Sequence, residues 1–137
     1  MIAVAECADG LYLVEVGADA DEDAVAGHEP DGSVERPRPV ELAPDWVSAL
    51  LVDVDANGSA VVVLVDRKPP LLVSHDAGST WQEVGGGLPA GKAVAVGDTP
   101  DDLLYGARNR LYVSRNGGIF WRVLGVELPE VRDVAWG

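Results

Sequence analysis

Read for its alternation of apolar and polar positions, the chain breaks into short β-type runs. IAVAEC (2 to 7), GLYLVEV (10 to 16), ALLVDVD (49 to 55), AVVVLVD (60 to 66), AVAVGD (93 to 98), DLLYGA (102 to 107) and VRDVAWG (131 to 137) are rich in Val, Leu and Ala. Turn signals such as DANG and DTPDD separate them. No segment sustains a 3.6-residue apolar period, so an all-β chain with almost no helix is expected.

The runs are organised by a repeat. LLVSHDAGSTWQEVGGGLP (71 to 89), moved by 40 residues, falls on LYVSRNGGIFWRVLGVELP (111 to 129), and Leu, Val, Ser, Gly, Trp, Gly, Leu and Pro coincide. Two further strand-like runs precede each copy, so each repeat reads as four short antiparallel strands. A weaker third copy lies at the N-terminus, where GLYLVEV matches RLYVSRN and VELAP (40 to 44) matches VELP (126 to 129). Within it, GADADEDAVAGHEPDGSVERPR is an insertion, acidic and rich in small residues, that reads as a surface loop over about residues 17 to 35.

The 137 residues are the size of one domain, 1 to 137, and 47% hydrophobic residues suffice for a packed core. MIAVAECADG has no basic leader region, and no apolar run approaches a membrane span, so a cytoplasmic location is expected. Charge is uneven. Residues 1 to 60 carry 14 acidic residues against Arg36 and Arg38, whereas residues 61 to 137 carry nine against eight, within a net charge of −13. That balance repels nucleic-acid phosphates and anionic membranes, so neither is expected as a partner. Cys7 has no second cysteine to pair with and reads as a small buried hydrophobe; no zinc-type Cys/His spacing exists, and neither a metal nor another cofactor is expected.

The stretch SHDAGSTW (74 to 81) places Ser, His and Asp side by side, which invites a catalytic reading. Consecutive residues of a strand point to alternate faces, so Ser74, His75 and Asp76 cannot align as nucleophile, base and orienter. The stretch resembles the Asp-box, or BNR repeat, of β-propellers in the sialidase- and sortilin-like superfamily, S/T-x-D-x-G-x-T/S-W/F, at Ser74, Asp76, Gly78, Thr80 and Trp81. SRNGGIFW keeps Ser114, Gly118 and Trp121, with Asn116 for the Asp and Phe120 for the Thr. GDTPDDLLYGARNRLYVSRNGGIFW is similar to the run that precedes this box in such propellers; the likeness covers about residues 46 to 137. It implies blades of four antiparallel strands, with the Asp as a clamp on the turn between third and fourth strands, Gly78 in a left-handed conformation and Trp81 packed between blades.

The repeat phase has a consequence. The chain begins inside a second strand and ends after a first strand, VRDVAWG, so three repeats are present in circularly permuted form. Three blades do not close a propeller ring of the usual size. The expectation is therefore a homodimer of six blades, in which each C-terminal strand completes the partner's N-terminal blade; the alternative is a three-bladed fragment that pairs with a different protein.

A sialidase-like glycosidase needs an arginine triad and a Tyr–Glu pair, and RPRP (36 to 39) is not the signature such enzymes carry; Tyr12 and Tyr112 occupy equivalent third-strand positions, which reads as packing. DVDANGS (53 to 59) resembles the start of a calcium loop, but Val61 and Leu64 stand where later ligands belong, and an Asn-Gly hairpin explains the same residues. His28 with Glu29 and Asp31, or the DADED run, reads as a solvated loop rather than a cation site. What remains is a non-catalytic module, a scaffold for protein–protein interaction, with a lectin-like carbohydrate-binding propeller as the alternative. The end opposite the Asp-box turns gathers the ligand-face candidates Arg67, Lys68, Lys92, Arg108, Arg110 and Arg132.

Overall fold

The computed structural model describes residues 1–17, 25–26, 38–41 and 44–137. Its elements run β1 (Ile2–Cys7), β2 (Gly10–Glu15), β3 (Val25–Ala26), β4 (Arg38–Val40), α1 (Pro44–Leu50), β5 (Leu51–Asn57), β6 (Ala60–Val65), β7 (Leu71–Ser74), β8 (Trp81–Val84), β9 (Gly91–Val96), β10 (Leu103–Ala107), β11 (Leu111–Ser114), β12 (Trp121–Val123) and β13 (Val131–Trp136). The all-β class is as the alternation predicts. The seven-residue α1 is not; it opens on Pro44, whose fixed φ suits a first helical turn.

The strands form three antiparallel sheets, ordered β5-β6-β7-β8-β4, β9-β10-β11-β12-β3 and β13-β1-β2, called here the first, second and third sheets. The first two contain the four strands of a repeat in sequence order, each extended at its outer edge by a short strand from the insertion. The third has three strands. VELAP matches the VELP that closes the other repeat, yet its Val40 ends β4 and pairs with Trp81 of β8, on a different sheet. Within the insertion, Gly17, Val25–Ala26 and Arg38 are described; the reading of 17 to 35 as a surface loop, and of His28, Glu29 and Asp31 as a solvated group, otherwise falls outside the described residues.

β13 pairs with β1 of its own chain, from Ala3 opposite Trp136 to Cys7 opposite Val131. The expected exchange, in which this strand completes the partner's N-terminal blade, is not what is seen: β13 completes the N-terminal sheet of its own chain, because the repeat phase brings Val131–Trp136 alongside Ile2–Cys7 without a second copy.

Two clusters join the sheets. Val62, Leu64, Leu71, Val73, Val84 and Leu88 of the first sheet and its following loop meet Val94, Leu103, Tyr105, Ala107 and Trp121 of the second. The other face of the second sheet, with Ala93, Ala95, Leu104, Leu111 and Val113, meets Ala3, Ala5, Cys7, Val131 and Val134 of the third. Alternation assigns one face of each strand to each neighbour, so β10 is buried throughout. The third sheet approaches closely because its partner is cut back: a Cβ on Gly106 would stand 2.8 Å from a Val134 methyl. A third cluster lies on the outer face of the first sheet, where Val63, Val65 and Leu72 are covered by Trp46, Val47 and Leu50 of α1 and by Val40.

Candidate functional site

The two turns marked by the repeat have the same construction. In the first, Ser74 Oγ donates to Asp76 Oδ1 at 2.8 Å and accepts from the backbone N–H of Gly78 at 2.8 Å. Asp76 Oδ1 accepts the Thr80 N–H at 2.9 Å, Oδ2 accepts the Thr80 hydroxyl at 2.6 Å, and the Trp81 indole N–H donates to Gly78 O at 3.0 Å. In the second, Ser114, Asn116, Gly118 and Trp121 repeat this set: Asn116 Oδ1 accepts from Ser114 Oγ and the Phe120 N–H at 3.0 Å each, and the Trp121 indole N–H reaches Gly118 O at 2.8 Å. An amide oxygen does the work of a carboxylate oxygen, and only the rung to a threonine hydroxyl is lost. The side chains of Ser74, Asp76, Thr80 and Trp81 are therefore engaged by the turn, whereas His75 is exposed beside it. Each turn also bonds to the hairpin beside it, Ala77 N–H to Ser59 O and Gly117 N–H to Asp101 O, which puts first-to-second and third-to-fourth strand connections at one end.

Two results follow for this turn. The Thr80 hydroxyl, then the Thr80 N–H and the Ser74 hydroxyl hold the Asp76 carboxyl down to about 2 from an ordinary 3.8. A depressed carboxyl contributes stability that is present above its unfolded value and lost as pH falls through the folded one. Acid titration of unfolding midpoints should show the parent losing stability relative to Asp76→Asn between about 3.8 and about 2; parallel curves would contradict the clamp. The second result concerns Ala77. Two consecutive residues are left-handed in each turn, Ala77 (φ 59°) with Gly78 (φ 95°), and Gly117 (φ 76°) with Gly118 (φ 97°). Ala77→Gly should stabilise by up to about 1 kcal/mol, against the usual sign of an alanine-to-glycine change, because it relieves the Cβ clash. Chemical denaturation checks the sign.

The carboxylates of DVDAN have a role the sequence did not indicate. Asp53, Asp55 and Asn57 alternate along β5 and face the edge of β9. Asp53 Oδ2 accepts the Val94 N–H at 3.0 Å, Asp55 Oδ2 accepts the Val96 N–H at 2.8 Å, and Asn57 Nδ2 donates to Gly97 O at 2.7 Å. Side chains of one sheet thus satisfy edge backbone groups of the next. The hairpin that was read as Asn-Gly closes with Asn57 opposite Ala60, so the loop is Gly58–Ser59 and Asn57 belongs to the strand. Among the described residues, no group of three or more His, Cys, Asp or Glu is placed to hold a metal ion. The i, i+2 spacing of Asp53 and Asp55 was the available signal, since it puts both on one face.

The basic candidates do not form one site. Arg67 donates to Glu83 at 3.2 Å and stacks over the Trp46 ring at 4.1 Å; with Lys68 it lines a small cleft beside Pro89, Ala90 and Gly91. Lys92 and Arg108 line another, of about 550 Å³, together with Asn109 and Glu130. Arg110 reaches the carbonyls of Leu124 and Gly125 at 3.4 Å. Arg132 is exposed on β13, away from both clefts.

The tyrosines are structural. Tyr105 is fully buried, donates to Pro89 O at 2.5 Å, and meets Tyr112 and Trp121 edge-on at 6.1 and 5.8 Å; burial pushes its phenol well above the ordinary range. Tyr12 donates to Asp9. Cys7 is buried between sheets, and that burial raises its thiol.

Apolar side chains are exposed at both ends of the sheet array. On the third sheet Leu11 and Leu13 are 71% and 73% exposed, although their repeat counterparts Leu111, Leu71, Val113 and Val73 are all buried between sheets. On β5, the free edge of the first sheet, Leu51, Val52 and Val54 are 49%, 42% and 51% exposed. GLYLVEV and ALLVDVD read as ordinary core strands, and their composition is that of core strands; what differs is that no further sheet of the described residues packs on these positions.

Comparisons with protein-family models, with curated proteins and with solved structures find no match to this chain. No helix among the described residues is long and apolar enough to cross a membrane.

Proposed function

We propose that the chain is a non-catalytic assembly module, an open run of β-propeller blades of the Asp-box type that acts as a scaffold for protein–protein association. One observation carries this reading: Leu11 and Leu13 lie exposed at positions that are buried between sheets in both other copies of the repeat. Adjacent apolar side chains on an open sheet face favour association by removing their area from water. The likeness to propellers is supported by the repeat, the strand order within the first two sheets and the two matching turns. The polar groups that could do chemistry are engaged elsewhere: Asp76 in its turn, Asp53 and Asp55 on β9, Tyr105 on Pro89.

A lectin-like role is the second reading, favoured by the cleft of Lys92, Arg108 and Asn109. Light scattering and a glycan array separate the two. The full chain at micromolar concentration should scatter as a particle larger than its 14.4 kDa, and Leu11→Asp with Leu13→Asp should return it to one chain mass with its circular dichroism retained. A single-chain particle that binds glycans, and loses them on Arg108→Ala, would establish the lectin reading instead.

A further inference from the structure

The assembly reading leaves the occupant of the open face unnamed, and the inner strands supply it. β5, β9 and β13 are the same strand of successive repeats, so Asp53, Ala93 and Asp133 are equivalent, as are Val54, Val94 and Val134, and Asp55, Ala95 and Ala135. At the junction of first and second sheets, Asp53 takes the outward N–H of Val94. At the next junction Ala93 has no carboxylate to offer, and the Val134 N–H is taken by Asp133 Oδ1 of its own strand at 2.9 Å. Asp133 Oδ2 makes no hydrogen bond among the described residues.

The third member of the series is Val54. The β5–β6 hairpin closes on Asn57 and Ala60, and alternation along the ladder then turns the N–H groups of Val54 and Ala56 away from β6, as those of Val94 and Val96 turn away from β10. Among the described residues no further sheet lies against β5 to cap them. Among the described residues the array therefore starts with uncapped donors along Leu51, Val52 and Val54, and ends with a carboxylate oxygen of Asp133 on the sheet face that carries Glu6 of β1 and, two strands out, Leu11 and Leu13 of β2.

We infer that these two ends meet between two copies of this chain. Asp133 of one copy accepts the Val54 N–H of the other, as Asp53 accepts that of Val94, and the inner strands β13 and β5 of the two copies meet along Val52 and Val54. The contact is made twice about a two-fold axis and repeats the inner-strand hydrogen bond of the junction between first and second sheets. Helix α1 covers Val63, Val65 and Leu72, so the contact runs along the inner part of the first sheet. The inference rests on the assembly reading above.

Cysteine cross-linking tests the geometry. By the equivalence with Asp55 and Val96, Ala135 of one copy faces Ala56 of the other, and both are exposed in the single chain. Mixing Ala135→Cys with Ala56→Cys under mild oxidation should give a two-chain species that neither variant gives alone; the parent, with Cys7 buried, is the control. Sedimentation equilibrium should show two chain masses for the parent, and Asp133→Ala should weaken the dimer by roughly tenfold or more, the size expected for a charge-assisted hydrogen bond. Asp133→Asn, whose single side-chain oxygen is taken by the Val134 N–H and whose NH2 would face the Val54 donor, should weaken it at least as much.

Self-linking by Ala135→Cys alone would mean like faces meet and would overturn the inference. So would a chain carrying both cysteines that closes on itself as a monomer, since β5 and β13 also line one cleft within the chain. A dimer untouched by Asp133→Ala would remove the hydrogen bond and leave association standing. A parent of one chain mass at every concentration would remove the assembly reading itself.

Discussion

Trp121→Ala is expected to be among the most damaging single substitutions in this protein, at about 3–5 kcal/mol. Trp121 is fully buried between first and second sheets, edge-on to Tyr105 at 5.8 Å, with its indole N–H bonded to Gly118 O. Alanine leaves a void lined by Val94, Leu103, Tyr105 and the leucines of the first sheet, and two sheets held by ladders on both sides cannot collapse to fill it. Trp81, its counterpart one repeat earlier, makes the same indole bond but lies partly exposed on the outer face of the first sheet. Trp81→Ala should cost clearly less, although the sequence motif treats the two alike. Urea unfolding of both variants measures the difference, and equal losses would mean that the void at Trp121 is filled by rearrangement.

Removal of Val131–Gly137 should abolish cooperative unfolding. β13 is the inner strand of the third sheet and packs against β9, so its loss strips the ladder from β1 and uncovers Ala3, Ala5, Cys7, Ala93 and Ala95 together. The remaining β1–β2 hairpin is too small to stay folded by itself. A point variant, Val134→Asp, should act in the same direction by placing a carboxylate in the close contact at Gly106, where a Cβ already has no room. Near-ultraviolet circular dichroism and urea titration report both; a truncated chain that still unfolds in one sharp transition would show that the second and first sheets are stable without the third.

Much of this architecture is legible in the amino-acid sequence, because short-range chemistry decides it. The alternation that marks IAVAEC or AVVVLVD is the pleat itself, and the 40-residue repeat fixes strand order within the first two sheets before any contact is known. The turns are equally local: Ser74, Asp76, Gly78 and Thr80 bond to one another within six residues, so their pattern carries their structure. Even the substitution of Asn116 for Asp keeps the turn, since only one side-chain oxygen position is needed for the backbone bonds.

Other features depend on what lies across a sheet junction, and sequence contains no record of distance across it. Asp53 and Asp55 resemble the opening of a cation loop until β9 is seen beside them, offering the N–H groups of Val94 and Val96. The six basic candidates share one end in a repeat diagram, yet side-chain reach divides them, with Arg67 held by Glu83 and Trp46 and Lys92 set beside Arg108 and Glu130. VELAP resembles the end of a repeat and instead serves the edge of β8, because an unpaired strand edge takes whichever extended segment the chain brings to it.

Sequence by itself determined the strands, the repeat and the two turns, since each is set by residues close together in the chain. Only the tertiary structure decided which equivalent positions are buried. Leu11 and Leu111 stand at one place in the repeat and differ in exposure because the third sheet covers the second, while among the described residues no fourth sheet covers the third. Burial is a property of the neighbour as much as of the residue, and a neighbour is supplied by the fold.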